Sequence, residues 1–254
     1  MFQTGLVSVS FRPLTVDQIM DLCVENDLRY VEWGSDIHAP CDDRERLAYL
    51  AAEQKKRGLI CSSYGTYFRV GINPLEEIDA YIAAAKTLGT NILRLWCGKK
   101  NYEDFTPEEK EKILSDAKEI ARIAEKEDVY VCMECHNKTF TNCLQGALEL
   151  METVNSKHLG MYWQPNQYRS FEENLEYAKA ISRYVTQIHV FNWKEKERYP
   201  LAGAVETWRS YLSCFEGDHA LLLEFMPTNL PEELPAEAEA LRLILRGFKE
   251  RILS

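Results

Sequence analysis

A chain of 254 residues, 46% hydrophobic and 28% charged, has enough apolar material for one large core and no low-complexity stretch that suggests disorder. Its formal net charge of -10 and pI near 5.1 argue against nucleic acid or an anionic membrane as partner, since either would be repelled without a compensating basic face. No uninterrupted apolar run approaches ~18 residues, and MFQTGLVSVSFRP is not a basic leader followed by an apolar core. A cytoplasmic protein is expected, with its eight cysteines reduced.

Apolar runs alternate with amphipathic segments from end to end. Leu6–Phe11 reads as the first strand and Thr15–Asn26 as the first helix. A strand at Tyr30–Gly34 precedes a helix over Asp42–Arg57, whose basic end Lys55–Arg57 complements the helix dipole. Ile60–Tyr64 is the third strand, and the helix Leu75–Leu88 stops at Gly89. After a strand at Ile92–Trp96, Thr106–Lys126 opens with Thr-Pro-Glu-Glu, an N-cap followed by proline at the first helical position. Four more strands follow at Val129–His136, Leu159–Gln164, Gln187–Phe191 and Ala220–Phe225; Glu232–Glu239 opens the last helical region as a solvated face. Cys132 and Cys135 lie three apart in a strand and so point to opposite faces, where they cannot share a metal.

Eight strand–helix units without a linker favour an all-parallel sheet. No Gly-x-Gly-x-x-Gly follows the first strand, as an open dinucleotide-binding sheet would need. The length is close to the roughly 250 residues of a closed barrel. The expectation is an α/β fold, a (β/α)8 TIM barrel forming a single domain over residues 1–254.

Four apolar runs end in a polar group: Glu134 in VYVCMECH, Gln164 in LGMYWQPNQ, His189 in VTQIHVFNW and Glu224 in ALLLEFM. In a parallel barrel the C-terminal strand ends meet at one mouth, where the chemistry sits. Carboxylates in apolar surroundings are costly unless paired or coordinated to a cation. Two carboxylates and an imidazole around an open site suit manganese, zinc, cobalt or iron better than calcium, which prefers oxygen donors. Manganese is the first expectation, and magnesium stays among the alternatives.

Other residues fall near the same mouth. Glu134 and His136 are two apart and share a face. Trp33, Tyr64, Tyr67, Trp96 and Trp193 lie at or just after strand ends, where they either wall a sugar ring or belong to the core. Arg94 shares the face of Trp96, in position to bind a carboxylate or phosphate or to neutralise Glu134. Glu32 and His38 flank the start of the loop after the second strand; a lone loop histidine is more often at the surface. His158 and His219 precede their strands, at the opposite end of the barrel.

The segments RYVEWGSDIHAP, SSYGTYFRVG, ILRLWCG, MECHNKTFTN, YWQPNQ, IHVFNW and LLEFM resemble the sugar phosphate isomerase/epimerase family with a xylose-isomerase-like barrel, which includes ketose 3-epimerases and inosose dehydratases. The resemblance covers nearly the whole chain. It implies a divalent metal held by Glu134, Gln164, His189 and Glu224, and proton abstraction next to a carbonyl through an enediolate. It also implies that Glu134 and Glu224 act as acid and base on opposite faces of a carbohydrate substrate. Tyr64, Arg94, Trp96, His136, Gln167 and Trp193 are expected around that substrate.

The chain departs from the family pattern at Gln164, where the family has Asp, and at Gln167, where it often has His. A Gln ligand brings no charge, so weaker metal binding is expected. The basic residue that some epimerases carry after the seventh-strand histidine has Lys194 and Lys196 as candidates. A lyase or dehydratase using the same metal and base is the alternative enzyme, and a sugar binder impaired at Gln164 is the nonenzymatic one. The related apurinic endonuclease activity is excluded by too few histidine ligands and by the charge. No glycine-rich phosphate cradle is evident, which favours an unphosphorylated substrate. The outer helices are compatible with a homodimer.

Overall fold

Strands buried on both faces read as nearly continuous apolar runs, and those runs here close on one another. The computed structural model describes residues 2–252, so residue 1 and residues 253–254 of the expected domain lie outside the described range. In chain order the strands are β1 (Phe2–Val7), β2 (Tyr30–Gly34), β3 (Ile60–Val70), β4 (Ile92–Cys97), β5 (Tyr130–Glu134), β6 (Leu159–Trp163), β7 (Val185–Val190), the short pair β8 (Trp193–Lys194) and β9 (Glu197–Arg198), and β10 (His219–Leu223). Eight of them form a closed parallel barrel in the order β1-β10-β7-β6-β5-β4-β3-β2, while β8 and β9 form a separate antiparallel hairpin. The fold is the expected TIM barrel.

The helices begin where the local chemistry starts them. Thr15, Thr106 and Ser170 each close a capping box with a Gln or Glu three residues on, opening α1 (Val16–Glu25), a long helix Pro107–Glu127 and a helix Phe171–Ile181. Asp43 caps α2 (Arg44–Lys56), and Gly89 at φ 82° ends the helix Ile78–Leu88 in the left-handed conformation that glycine adopts without strain. The layer between barrel and helices holds most of the core. A smaller cluster of Val7, Val9, Cys132, Tyr162, Ala220 and Leu222 is packed separately. Cys132 and Cys135 fall on opposite sides of β5, one in each cluster, as strand geometry requires.

Three expectations change. The first strand ends at Val7, and Ser8–Phe11 winds into a 3-10 turn. Its hydroxyls are needed at the barrel top, where Ser8 accepts from the Gly34 N–H and Ser10 from the Phe225 N–H. The third strand runs on to Val70, pairing with β4 again at Arg69 and Val70 after an irregularity beyond Gly65. Within the stretch Glu232–Glu239, Glu237 is buried, because both of its carboxylate oxygens accept the Leu201 N–H at 3.1 Å. Among the described residues no helix is long and apolar enough to cross a membrane.

Candidate metal centre at the barrel mouth

Strand alternation puts Arg94 and Trp96, two apart on β4, and Cys132 and Glu134, two apart on β5, on the same side of the sheet. Gln164 and Glu224 each follow the last residue of a strand, β6 and β10, and His189 is the penultimate residue of β7. These ends converge. Ligand atoms of Glu134, His189 and Glu224 all lie within 4.8 Å of one another, and all three side chains are buried. Gln164 Oε1 lies 3.1 Å from His189 Nδ1. The oxygens of Glu134 and Glu224 are each 3.5 Å from that same nitrogen.

The other ring nitrogen determines what this cluster can hold. His189 Nε2 is 3.2 Å from Glu32 Oε2. Burial alone would raise the Glu32 carboxyl, but Arg94 and His189 hold it below the usual range, so it is an acceptor and Nε2 carries the hydrogen. The lone pair of a neutral His189 then points from Nδ1 at three oxygens. A cation, whether a proton on Nδ1 or a metal ion, resolves such a convergence of acceptors. Without a metal the proton takes that place: burial disfavours it, but Glu224 and Glu32 outweigh burial and push His189 up to about 10. The donor set of two carboxylates, one imidazole and one amide oxygen, with a carboxylate behind the histidine, fits a divalent metal.

A second network fills the space beside it. Arg94 is buried and donates from Nε to Glu32 Oε1 at 2.9 Å and from Nη1 to Glu134 Oε2. Trp96 Nε1 donates to the same Glu134 oxygen, and Ser63 donates to Glu32 Oε2 at 3.2 Å. Burial would raise the Glu134 carboxyl, yet Arg94 overcomes it and holds the group well below its ordinary range. Glu224 receives less help: burial leaves it raised, with His189 and then Arg94 only partly opposing. Gly65 is required beneath this network, because a Cβ there would lie 2.5 Å from Glu32 Oε1 and 2.9 Å from Arg94 Nη2.

An aromatic belt surrounds the mouth. Trp96 stacks on His136 with centroids 4.7 Å apart, meets Tyr67 at 5.5 Å, and carries the Arg69 guanidinium at 4.0 Å. Across the opening Trp193 packs on Phe225 at 5.7 Å, and the Arg12 and Arg198 guanidinium carbons lie 5.7 and 5.0 Å from the Phe225 ring. Of the residues expected around a substrate, Arg94, Trp96, His136 and Trp193 belong to this assembly. Gln167 stands aside, lining with Trp193 a cavity of about 340 Å³ between the loop after β6 and the hairpin.

Tyr64 does not reach the mouth. It faces the helical layer, donating to the Ala39 carbonyl at 2.6 Å, because its neighbour Ser63 takes the inward place opposite Glu32 at the β2–β3 irregularity. Trp33 is turned the same way, with its indole N–H on Gln54. His38 is buried, held by Ser8 and the Leu14 carbonyl. His158, with Nδ1 2.9 Å from the Val129 carbonyl oxygen, and His219, lining a cavity among the strand starts, lie at the far end of the barrel. Lys194 and Lys196 are exposed, and the basic side chain of this stretch that packs at the mouth is Arg198, over the rings of Trp193 and Phe225, the residue after Glu224. Sequence reasoning passed over Arg198 and gave Glu32 no ligand-supporting role, although a glutamate inside the apolar run of β2 was a signal for the latter.

A closed parallel barrel with carboxylate, imidazole and amide groups converging at its C-terminal mouth defines a TIM barrel with a candidate metal site. The chain belongs to the xylose isomerase-like TIM barrel family, which it matches over residues 20–239. It is 25% identical over 171 residues to a 3-dehydroshikimate dehydratase of Bacillus anthracis, across 61% of this chain and 59% of that protein, which is less than two thirds of the relative's length. The crystal structure of the probable 3-DHS dehydratase AsbF from Bacillus anthracis shares the fold with a TM-score of 0.76 and 18% identity, covering 94% of this chain and 98% of that one. The IolI protein with a bound zinc atom does so with a TM-score of 0.75 and 16% identity, covering 96% and 98%.

Proposed function

We propose that this protein is a metal-dependent enzyme that removes a proton from the carbon next to a carbonyl of a polyhydroxylated small molecule. Glu224 is the base, and the reaction proceeds by loss of water, so the protein is a dehydratase of the lyase class. The observation that carries this reading is the unequal state of the two glutamates. Glu134 Oε2 already accepts from Arg94 and Trp96, and its other oxygen is turned to His189 Nδ1. Among the described residues Glu224 accepts no hydrogen bond; its nearest partner is His189 Nδ1 at 3.5 Å. A base must keep an oxygen free to take up the proton, and Glu224 does so more fully than Glu134, whose Oε2 is already held by two donors.

A divalent cation held by Glu134, Gln164, His189 and Glu224 would supply the Lewis acidity that makes such a carbon acid reactive near neutral pH. Glu32 keeps His189 in the tautomer with Nδ1 free, and Arg94 keeps Glu134 ionised. Glu224 takes the proton from carbon, the neighbouring carbon–oxygen bond breaks as the double bond forms, and the proton on Glu224 passes to the leaving hydroxyl as water. The likeness to a 3-dehydroshikimate dehydratase is consistent with this outcome.

A second reading, a ketose isomerase or epimerase, draws on the two carboxylates that approach the same imidazole. Manganese-loaded protein incubated in deuterated water with 3-dehydroshikimate, ketoinositols and ketoses separates the two. Elimination with release of water is expected, and Glu224→Gln abolishes it while metal binding remains measurable. Deuterium entering a product whose carbon–oxygen bonds are all intact would establish the second reading, and protein that neither eliminates nor exchanges with any of them overturns both.

A further inference from the structure

Four arginines stand at or beneath the mouth, and three are engaged by protein acceptors. Arg94 holds Glu32 and Glu134, Arg12 is paired with Asp36 at 2.9 Å and bonded to Val9 and Tyr67, and Arg69 donates to the Gly98 carbonyl at 2.8 Å. Arg198 is different. Among the described residues its guanidinium has neither a hydrogen-bond acceptor nor a carboxylate at ion-pair distance, although it is half-buried and feels the Glu224 carboxylate. It lies over two rings, with its central carbon 4.8 Å from the Trp193 centroid and 5.0 Å from that of Phe225.

Its position follows from the hairpin. Trp193 and Arg198 are directly opposed in the β8–β9 pair, so their side chains leave on the same face, whereas Lys194 and Glu197 form the next pair. Trp193 is anchored in turn by its indole N–H on the Phe225 carbonyl at 3.3 Å, one residue beyond Glu224. A guanidinium stacked on aromatic rings keeps its planar set of N–H donors in one orientation, which suits a carboxylate taken by two parallel hydrogen bonds.

We propose that Arg198 binds a carboxylate on the substrate and makes this enzyme selective for polyhydroxylated acids over neutral sugars. The inference rests on the reading that the reaction takes place beside Glu224. A carboxylate is favoured over a phosphate because the neighbouring Arg12 is already committed to Asp36, which leaves one open guanidinium for the anion.

Binding to manganese-loaded protein tests this by calorimetry, with shikimate, its neutral amide and sorbitol 6-phosphate as probes. Shikimate is expected to bind roughly 10- to 100-fold more tightly than the amide, as for hydrogen bonds to a charged group. Arg198→Gln removes that preference, Arg198→Lys retains only part of it, and Arg69→Gln leaves it in place. Equal binding of acid and amide overturns the proposal, as do an undiminished preference in Arg198→Gln, a preference for the phosphate, or no binding of any probe. Binding does not depend on turnover. A preference that holds in a protein that catalyses nothing removes the dehydratase reading and leaves the carboxylate site standing.

Discussion

On the β2–β5 side of the mouth the buried charges complete one another, whereas on the β6–β10 side they converge without doing so. Glu32, Ser63, Arg94, Trp96 and one oxygen of Glu134 form a closed set of donors and acceptors, while the other Glu134 oxygen faces His189. Gln164, His189 and Glu224 face one another with oxygens around a single nitrogen, and Arg198, over the ring of Phe225, has no acceptor among the described residues. A buried ionic group whose bonds are all made holds structure in place, while one that keeps unused capacity is where a ligand is accommodated. The same residue type therefore plays two parts here: Glu134 is a fixed anion and Glu224 an available one.

The contrast is open to attack from both sides. The largest effect is expected from Arg94→Met, which strands two buried carboxylates and should cost the metal-free protein about 3–5 kcal/mol in urea unfolding; a loss below ~1 kcal/mol would mean that the closed wall is not structural. Glu32→Gln removes the anion behind His189 and should weaken metal binding roughly 10- to 100-fold in a chelator competition, with little change in turnover at saturating metal. Gln164→Asp adds a charge on the open side, and the same competition should show affinity rising about tenfold, as ligand charge tunes metal sites.

The pH dependence is the finest test. With His189 pushed up to about 10, its proton stabilises the metal-free protein fully below the unfolded imidazole value of about 6.5, and that contribution is lost as pH rises through the folded value. Metal binding must displace that proton, so affinity should fall about tenfold per pH unit on going down from pH ~10. Calorimetry at pH 8 in two buffers of different ionisation enthalpy should show about one proton released per metal, and zero would remove the proton from its assigned place.

Much of the site was legible because a polar residue at the end of an apolar run is conspicuous, and a parallel barrel gathers such ends. Glu134, Gln164, His189 and Glu224 meet as that rule expects. Tyr64 misled because the parity of a strand residue depends on its register, and the β2–β3 irregularity places Ser63 rather than Tyr64 opposite Glu32. His38 has the composition of a surface loop residue, but the 3-10 turn after β1 supplies Ser8 as its partner and buries it. Arg198 sits in a short run of alternating charges with no apolar pattern to orient it, and its pairing with Trp193 turns it toward the mouth.

The order of apolar and amphipathic segments determined eight parallel strand–helix units, and chain length with the missing glycine motif pointed to closure, because hydrophobic periodicity and strand-end chemistry are local properties of the chain. Which glutamate is fixed and which is free was decided by closure alone. Arg94 and Glu32 are 62 residues apart, and His189 and Glu32 are 157 apart. No local pattern encodes such partners; they exist because the barrel brings β2, β4 and β7 around one lumen.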